Sequence, residues 1–455
     1  MKRSALAIAL LLASCAPVSA PPDRAAGVGT TDLPAMKSFA TAPASRPIRS
    51  NAEIAQDFLD LSFEMESGRK IPIFNRFEGP VTVRVIGNAP ASLVPDLDRL
   101  LRRLRSEAGI DISRVNSGDA SITIEAVPRG RLQRAVPNAA CFVVPRVSSW
   151  ENFRAVRRTP AVDWTTLTER TRAAVFLPSD TAPQDVRDCL HEELAQALGP
   201  LNDLYRLPDS VFNDDNIHAV LTGFDMLILR ATYAPELRSG MSREQVAARL
   251  PALLNRLNPR GANGGRSYQT VTTDRWTNAI ETALKNGSSF DARRRSAARA
   301  VDIARSYGWT GPRRGFSLYV LGRLQLITQP GRAILSFRES FDVYNGSSLT
   351  KLHAAHVAVQ LAAYALSSGD GAATLAITGE AIPAARDAEN AALLATLLMF
   401  RAEALDLTGQ AEEARAVRLD SLAWARYGFG DAREVRARLQ EVRDLNPARE
   451  IRTAL

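Results

Sequence analysis

The sequence has few of the residues that most often bind transition metals. Its 455 residues include only four His and three Cys. A G-x-x-x-x-G-K-[ST] motif is absent, which excludes a P-loop nucleotide-binding site. Beyond the N-terminus, no apolar run reaches the roughly 18 residues that a membrane-spanning helix needs. The remaining composition, with 45% hydrophobic and 23% charged residues, is typical of a globular chain of two or three domains.

Lysine is also scarce, so arginine carries almost all of the positive charge. The net charge is +8, and the arginines cluster at Arg102-Arg103, Arg157-Arg158 and Arg293-Arg294-Arg295. Such clusters can bind anionic lipid or nucleic acid. Each cluster has acidic neighbours, and none is interleaved with aromatic residues. We therefore predict a solvated arginine-rich surface and no nucleic-acid partner.

The N-terminus has the features of an export signal. Charged residues 2–3 precede an apolar core over residues 5–12, which is too short to span a bilayer. The core ends in Leu12-Ala13-Ser14-Cys15, which resembles the lipobox of bacterial lipoproteins. The resemblance implies a signal peptide over residues 1–14 and lipidation of Cys15.

The same resemblance implies a location. Ala16, rather than Asp, follows Cys15, which in such lipoproteins indicates sorting to the outer membrane with the protein facing the periplasm. The Pro-, Ala-, Ser- and Thr-rich stretch 15–50 is predicted to be a flexible tether. The alternative is cleavage near residues 18–20, which would release a soluble periplasmic protein.

Two cysteines remain after removal of a lipoprotein signal and its lipidated residue. Cys141 and Cys189 form an even pair, and an exported protein folds in an oxidising compartment. A disulfide between them is one interpretation. Two separate buried thiols are the other.

The most informative run extends from Cys189 to Asp203 and reads CLHEELAQALGPLND. It resembles the active-site helix of metzincin proteases, H-E-x-x-H-x-x-G-x-x-H, in which three His bind zinc and the Glu is the general base. When the pattern is aligned on Gly199, Glu193 occupies the general-base position. The three metal-ligand positions hold Glu192, Gln196 and Asn202.

None of the four histidines fits a zinc site. An alignment that started at His191 would place the second ligand on Ala195 and the glycine one residue late. His191 also points away from the face of Glu192, because a helix turns about 100° per residue. His218 is isolated, and we predict a packed or solvated role for it. His353 and His356 share a helical face but lack a third ligand, which favours packing over metal binding.

The residues at the ligand positions are poorly suited to zinc. Gln196 and Asn202 offer neutral amide oxygens, which are weak ligands for this cation. Asp203 could replace Asn202, but such an oxygen-rich set suits calcium better. Without a metal-bound water, Glu193 has nothing to deprotonate. We predict no cofactor and a hydrogen-bonded structural network, with zinc or calcium bound at Glu192, Gln196, Asn202 and Asp203 as the alternative.

Periodicity predicts an α+β arrangement around this helix. Strands are predicted at 81–86, 121–126, 140–144 and 172–177, with helices at 93–108 and 185–198. This order is that of the metzincin N-terminal subdomain. Downstream, residues 209–213 resemble the Met-containing turn of metzincins, with Phe212 in the Met position, and residues 226–233 resemble the final helix.

Three segments together resemble one family, the proteobacterial domain of unknown function 2927. They are Cys189–Asp203, Ser210–Asp214 and Asp225–Met241. The resemblance covers residues 51 to about 241. It implies a metzincin-like fold without an established activity.

The C-terminal half is predicted to be almost entirely helical. Four units of helix, glycine turn and helix are suggested by glycines at 287, 331, 371 and 409. Residues 399–416 resemble a tetratricopeptide repeat, although such repeats are about 34 residues long and these units are longer. Amphipathic pairs of this kind must stack to bury their apolar faces, which predicts a superhelical solenoid that binds protein or peptide partners.

The predicted fold class is thus an α+β metzincin-like domain at 51–245, a linker at 246–273 and an all-α, tetratricopeptide-like solenoid at 274–445. The predicted function is that of an envelope lipoprotein acting as a binding or scaffolding protein. The alternative is a metal-dependent, peptidase-like hydrolase with unusual ligands and Glu193 as the general base.

Overall fold

The computed structural model describes residues 33–40, 45–137, 139–263, 272–285 and 287–449. The predicted signal peptide, the predicted lipidation site Cys15 and the first half of the predicted tether lie outside these residues. The chain forms two compact units: Ala40–Thr270, and Val271–Leu455 together with Met1–Phe39. Within the described ranges, no helix combines the length and apolar character needed to cross a bilayer.

The first unit is built on a small mixed sheet of five strands. They are β1 (Val81–Gly87), β2 (Ile112–Arg114), β3 (Ile122–Val127), β4 (Phe142–Pro145) and β5 (Ala173–Pro178). Their spatial order is β2-β1-β3-β5-β4; the first four are parallel and β4 is antiparallel to β5. Every residue of β5 is buried, as expected for a strand covered on both faces.

Seven helices surround this sheet. They are α1 (Asn51–Ser62), α2 (Leu93–Ala108), α3 (Arg129–Ala135), α4 (Trp150–Val156), α5 (Pro183–Leu198), α6 (Gly223–Thr232) and α7 (Arg243–Leu257). Successive side chains of β5 point to opposite faces of the sheet, so helices on the two faces pack against different residues of this strand. Val175 points into the main core with α2, α5 and α6, whereas Phe176 points into a second core with α3 and α4.

The predicted α/β character of this unit is confirmed. The four predicted strands are present, and the two predicted helices correspond to α2 and α5. The sequence did not indicate β2, which has only three residues, or α3 and α4, which have seven each. Elements this short do not complete enough periods for apolar spacing to become visible. The longer helices α1 and α7 were also not predicted, and residues 246–257 of α7 lie in the stretch that was predicted to be a linker.

The second unit is entirely helical over its described residues, as predicted. Its helices are α8 (Asp274–Leu284), α9 (Phe290–Ser306), α10 (Pro312–Gln325), α11 (Pro330–Asn345), α12 (Lys351–Ser367), α13 (Gly371–Asp387), α14 (Ala391–Leu407), α15 (Ala411–Gly428) and α16 (Ala432–Arg443). Each packs against the next, and α12 also contacts α14. Four helix pairs begin at residues 274, 312, 351 and 391, so successive pairs start 38, 39 and 40 residues apart.

Two of the four predicted turn glycines were assigned wrongly. Gly287 and Gly409 do lie in turns, with φ of 92° and 80°. Gly331 instead lies inside α11, and Gly371 is the first residue of α13. A Cβ on Gly371 would lie 2.9 Å from Thr408 Cγ2, so glycine there permits close helix packing. Sequence alone does not distinguish these two uses of glycine.

Part of the stretch predicted as a tether is packed. In the N-terminal segment (residues 33–39), the Phe39 ring stacks on Trp424 of α15, with 4.4 Å between ring centroids. The backbone N–H of Lys37 donates to the carbonyl of Ala423 at 3.1 Å, and Arg426 donates to the carbonyl of Pro34 at 2.8 Å. One aromatic residue and a few backbone groups are therefore enough to fix a segment of otherwise tether-like composition.

Candidate functional site

Helix α5 carries the predicted site residues and is an interior helix. Twelve of its sixteen residues are buried. Pro183 at its first position has the φ of a helix and no N–H to satisfy. A disulfide joins Cys189 of α5 to Cys141, the residue before β4, with a Cα–Cα distance of 5.9 Å. The helix is thus covalently attached to the edge of the sheet.

The C-terminal end of α5 is held by two residues that are distant in sequence. The Arg170 guanidinium donates to the carbonyls of Gln196 at 2.6 Å, Ala197 at 2.8 Å and Gly199 at 2.5 Å. The Tyr233 hydroxyl donates to the carbonyl of Leu198 at 3.1 Å. Four consecutive carbonyls that the helix itself leaves without partners are satisfied in this way.

Arg170 is buried on all sides of its guanidinium. Its Nε donates to Asn75 Oδ1 at 2.8 Å, and its guanidinium carbon lies 4.9 Å from the centre of the Trp164 ring. Burial lowers the pKa of Arg170 to about 10, so the group remains charged at neutral pH. Sequence reasoning missed this residue because nothing local to it indicates a role at the end of α5.

Beside α5 lies an acidic cluster, which consists of Glu66, Glu192, Glu193, Asp203 and Asp214. Glu193 is buried, Glu192, Asp203 and Asp214 are half-buried, and Glu66 is exposed. The carboxyl group of Asp203 hydrogen-bonds that of Glu66, which also accepts from Gln196 Nε2 at 3.4 Å. The structure therefore brings together four of the residues singled out in the sequence and adds Glu66 and Asp214 to them.

Burial and mutual repulsion raise the pKa values of three carboxyls in this cluster. Burial, with Glu66 and Asp214, raises the pKa of Glu192 to about 7. Burial, with Glu192 and Glu66, raises the pKa of Glu193 well above its ordinary value, and the pKa of Asp203 is raised in the same way. The charged neighbours responsible for these three shifts are all carboxylates. A carboxyl with a raised pKa keeps its proton to a higher pH, so burial reduces the fraction of Glu193 that is ionised at a given pH.

The two amide positions are engaged in bonds to the protein. Asn202 Nδ2 donates to the carbonyl of Asp60 at 3.0 Å, while Gln196 Nε2 faces Glu66. Among the described residues, no group of three or more His, Cys, Asp and Glu side chains is arranged to hold a metal ion. The amide oxygens of Gln196 and Asn202 are weak ligands for zinc, so the residues at the three ligand positions do not make up a donor set that fits a zinc ion.

The turn beneath α5 is organised by Asp225. Its carboxylate accepts from Ser210 Oγ at 2.5 Å, from the N–H of Val211 at 3.2 Å and from the N–H of Thr222 at 2.8 Å. Thr222 and Asp225 also form the capping box that begins α6. Phe212, in the position of the metzincin Met, is fully buried. One carboxylate thus fixes both the turn and the start of the following helix.

His191 has a structural position. Its Nδ1 accepts the backbone N–H of Leu221 at 3.1 Å, which connects α5 to the segment before α6. Burial, together with Arg187, Arg103 and Arg99, lowers the pKa of His191 well below its ordinary value. The ring is therefore neutral, and it supports packing as the alignment on Gly199 predicts.

The comparison with known families covers the unit just described. Residues 51–252 match the family described as Protein of unknown function (DUF2927). The predicted resemblance to this family is confirmed over that segment, which includes the whole sheet, α1 to α6 and most of α7. The comparisons with curated proteins and with solved structures found no match.

The acidic cluster predicts how the stability of the segment that matches DUF2927 depends on pH. A carboxyl whose pKa is raised by folding binds its proton more tightly in the folded state, so its contribution to stability is lost as pH rises. For Glu192 the loss extends from its ordinary value of 4.5 through about 7. We expect the free energy of unfolding to fall by at most about 3 kcal/mol over this window from Glu192 alone.

Urea denaturation of the full chain between pH 4 and 8 measures this effect. Glu192→Gln should flatten the profile, because the amide does not titrate. The matched control is Glu169→Gln, an exposed carboxyl, which should leave the profile unchanged. Identical pH profiles for Glu192→Gln and the unsubstituted chain would rule out a buried, protonated Glu192.

Proposed function

We propose that the chain is an outer-membrane lipoprotein that acts as a binding or scaffolding protein in the envelope, and that its first unit is a metzincin-like domain without zinc chemistry. The observation that carries this proposal is the state of the residues at the ligand and base positions. Gln196 and Asn202 donate hydrogen bonds to protein oxygens, and Glu193 is buried in a cluster of carboxyls, where burial and its neighbours raise its pKa.

Several features support descent from a metzincin. The elements follow the order strand, helix, strands, helix that periodicity predicts, apart from the additional short elements, and this order resembles that of the metzincin N-terminal subdomain. Helix α5 ends at Gly199, where the chain turns. Phe212 fills the position of the Met, and Tyr233 packs onto the end of α5. Such a fold would keep a rigid surface without its metal ligands. Arg170 holds the end of α5, Asp225 holds the turn beneath it, and the disulfide attaches α5 to the sheet.

The second unit supports a binding role through protein or peptide partners. Its stacked helix pairs resemble tetratricopeptide repeats in arrangement, though not in length. Among the described residues of this unit, six large apolar side chains are more than 40% exposed: Met36, Tyr307, Ile327, Leu335, Tyr364 and Leu419. Single apolar residues on a surface are ordinary, but helical-repeat surfaces commonly use such residues as anchors for a partner.

The alternative function, a hydrolase with Glu193 as general base, has one observation in its favour. Glu193 Oε2 and Asp203 Oδ1 are buried without a hydrogen-bond partner among the described residues. Unsatisfied buried oxygens are rare outside functional sites. A bound cation that lowered the pKa of both groups would turn the cluster into a site with ionised carboxylates.

Two measurements on the full-length protein separate the proposals. A scaffold purified without chelators should contain no stoichiometric zinc or calcium by mass spectrometry. In addition, Glu193→Gln and the control Glu169→Gln should capture the same proteins from envelope extracts in the same amounts. A stoichiometric metal that Glu193→Gln or Asp203→Asn removes, or peptides that accumulate only on Glu193→Gln, would overturn the scaffold proposal in favour of the hydrolase.

A further inference from the structure

The face of the sheet opposite α5 carries a second, separate feature. Helices α3 and α4 cover β4 and β5 there, over a layer of four aromatic side chains whose ring centroids are 5.2 to 6.4 Å apart. These are Phe142, Trp150, Phe153 and Phe176. The acidic cluster borders α5 in the main core, so this face belongs to neither proposal for that cluster.

A basic cavity of about 320 Å³ lies between the two helices. Arg131 and Arg134 of α3 line one side, and Arg154 and Arg157 at the end of α4 line the other. Each pair is three residues apart, so its members project from one face of their helix. Trp150 forms part of the wall.

These arginines form no ion pair with the described residues, and Arg131 has a longer-range attraction to Glu125. None of the ion pairs formed by those residues involves Arg131, Arg134, Arg154 or Arg157, and Arg157 donates to the carbonyl of Ala135 at 3.1 Å. Arg129 on the same helix behaves differently, since it pairs with Asp185. The half-buried carboxyl nearby, Glu125, accepts from the N–H of Trp150 at 2.7 Å; burial raises its pKa, and the charge of Arg131 acts in the opposite direction.

A buried donor at the cavity also lacks a partner. The Trp150 side chain is 3% exposed, and its indole Nε1–H makes no hydrogen bond to the described residues. A buried N–H without an acceptor costs about 1–3 kcal/mol.

A second cavity of about 500 Å³, lined by apolar side chains together with Arg157 and Arg158, adjoins the basic one. The two share Ala135 and Arg157 in their walls. Its remaining lining is mainly Val136, Phe142, Val143, Val144, Phe153 and Val162. A basic compartment and a compartment lined mainly by apolar side chains thus lie side by side within the reach of one small molecule.

We propose that the paired cavities bind an anionic amphiphile, with its phosphate group among the four arginines and the beginning of its acyl chain in the apolar cavity. Planar guanidinium groups donate two parallel hydrogen bonds to a phosphate and remain charged at all relevant pH values. Four guanidinium groups offer many more donors than the two oxygens of a carboxylate can accept. A phosphate dianion, with its larger charge and additional oxygens, suits them better. The proposal differs from the solvated surface expected for Arg157-Arg158, and it does not depend on the scaffold proposal.

Calorimetric titration of the full chain with three probes tests both halves of the site. We expect dodecyl phosphate, kept below its micelle concentration, to bind most tightly and inorganic phosphate to bind at least tenfold more weakly. Dodecyl maltoside, which has the chain without the charge, should show no saturable binding. Equal affinities for dodecyl phosphate and inorganic phosphate would overturn the role of the apolar cavity, and absence of dodecyl phosphate binding would overturn the site.

Matched variants localise the binding. Arg134→Gln and Arg154→Gln, one from each helix, should each weaken dodecyl phosphate about tenfold, because each removes a charged hydrogen bond. Both side chains are exposed and free of ion pairs among the described residues, so these variants should fold. Val162→Asn should weaken dodecyl phosphate but not inorganic phosphate. Arg102→Gln, an exposed arginine on α2, is the control, and an equal effect of this variant would refute the site.

Discussion

Replacing Arg170 by Met is expected to lower the free energy of unfolding of the first unit by about 4 kcal/mol. The substitution removes donors from the carbonyls of Gln196, Ala197 and Gly199 and from Asn75 Oδ1. Each buried carbonyl left without a partner costs about 1–3 kcal/mol, and relief of the buried charge offsets part of the sum. Urea denaturation with the disulfide intact measures the change.

Two further variants show whether the carbonyl contacts are the cause. Arg170→Lys keeps the charge but cannot reach three carbonyls at once, so its loss should lie between those of Met and the unsubstituted chain. Arg172→Met, two residues along the chain, removes an exposed arginine that pairs with Asp119 at 3.7 Å. This control should cost at most about 1 kcal/mol. Equal losses for Arg170→Met and Arg172→Met would contradict the role assigned to Arg170.

Replacing Asp225 by Ala should destabilise the same unit by about 3–4 kcal/mol. The side chain is fully buried and accepts three hydrogen bonds. Its removal leaves the N–H groups of Val211 and Thr222 without acceptors and removes the capping box of α6. Thermal denaturation and amide hydrogen exchange should both report the loss, with exchange increasing first around residues 210–222.

Asp225→Asn separates the two oxygens of this carboxylate. The amide oxygen can still accept the two backbone N–H groups, and the amide nitrogen then faces the hydroxyl of Ser210. We expect roughly half the loss of Asp225→Ala. Glu151→Ala, which removes an exposed acidic residue in the first turn of α4, should change stability by less than about 0.5 kcal/mol. A loss from Asp225→Ala no larger than that of Glu151→Ala would be inconsistent with the contacts described.

Several of the elements that the sequence predicted have a regular apolar spacing, although the long helices α1 and α7 were not predicted. Strand β1 alternates β-branched residues, and α2 repeats leucine along one face, so both were found with nearly the observed bounds. Alignment on Gly199 also predicted which side of α5 carries the polar residues. That prediction succeeded because helical geometry fixes relative directions once one position is known.

The parts of the site that the sequence did not predict depend on contacts between distant residues. Glu66 hydrogen-bonds a residue 130 positions away, and nothing near it in sequence suggests an acidic cluster. Arg170 precedes a strand and reads as an ordinary polar residue of a loop. The raised pKa of Glu193 follows from its burial beside other carboxyls. A sequence motif contains no information about such burial. The pattern indicated a catalytic base, and packing determines whether it can act as one.

The N-terminal segment (residues 33–39) has a consequence for the surface on which it packs. A partner that recognises α15 around Trp424 must first displace Phe39 and the backbone contact at Lys37. Because the segment is part of the same chain, it competes at an effective concentration on the order of millimolar, whatever the dilution of the protein. The affinity of that surface is therefore set by an internal competitor as well as by the helices. Cleavage of the chain between residues 39 and 45 would weaken this competition without changing a residue of the surface itself.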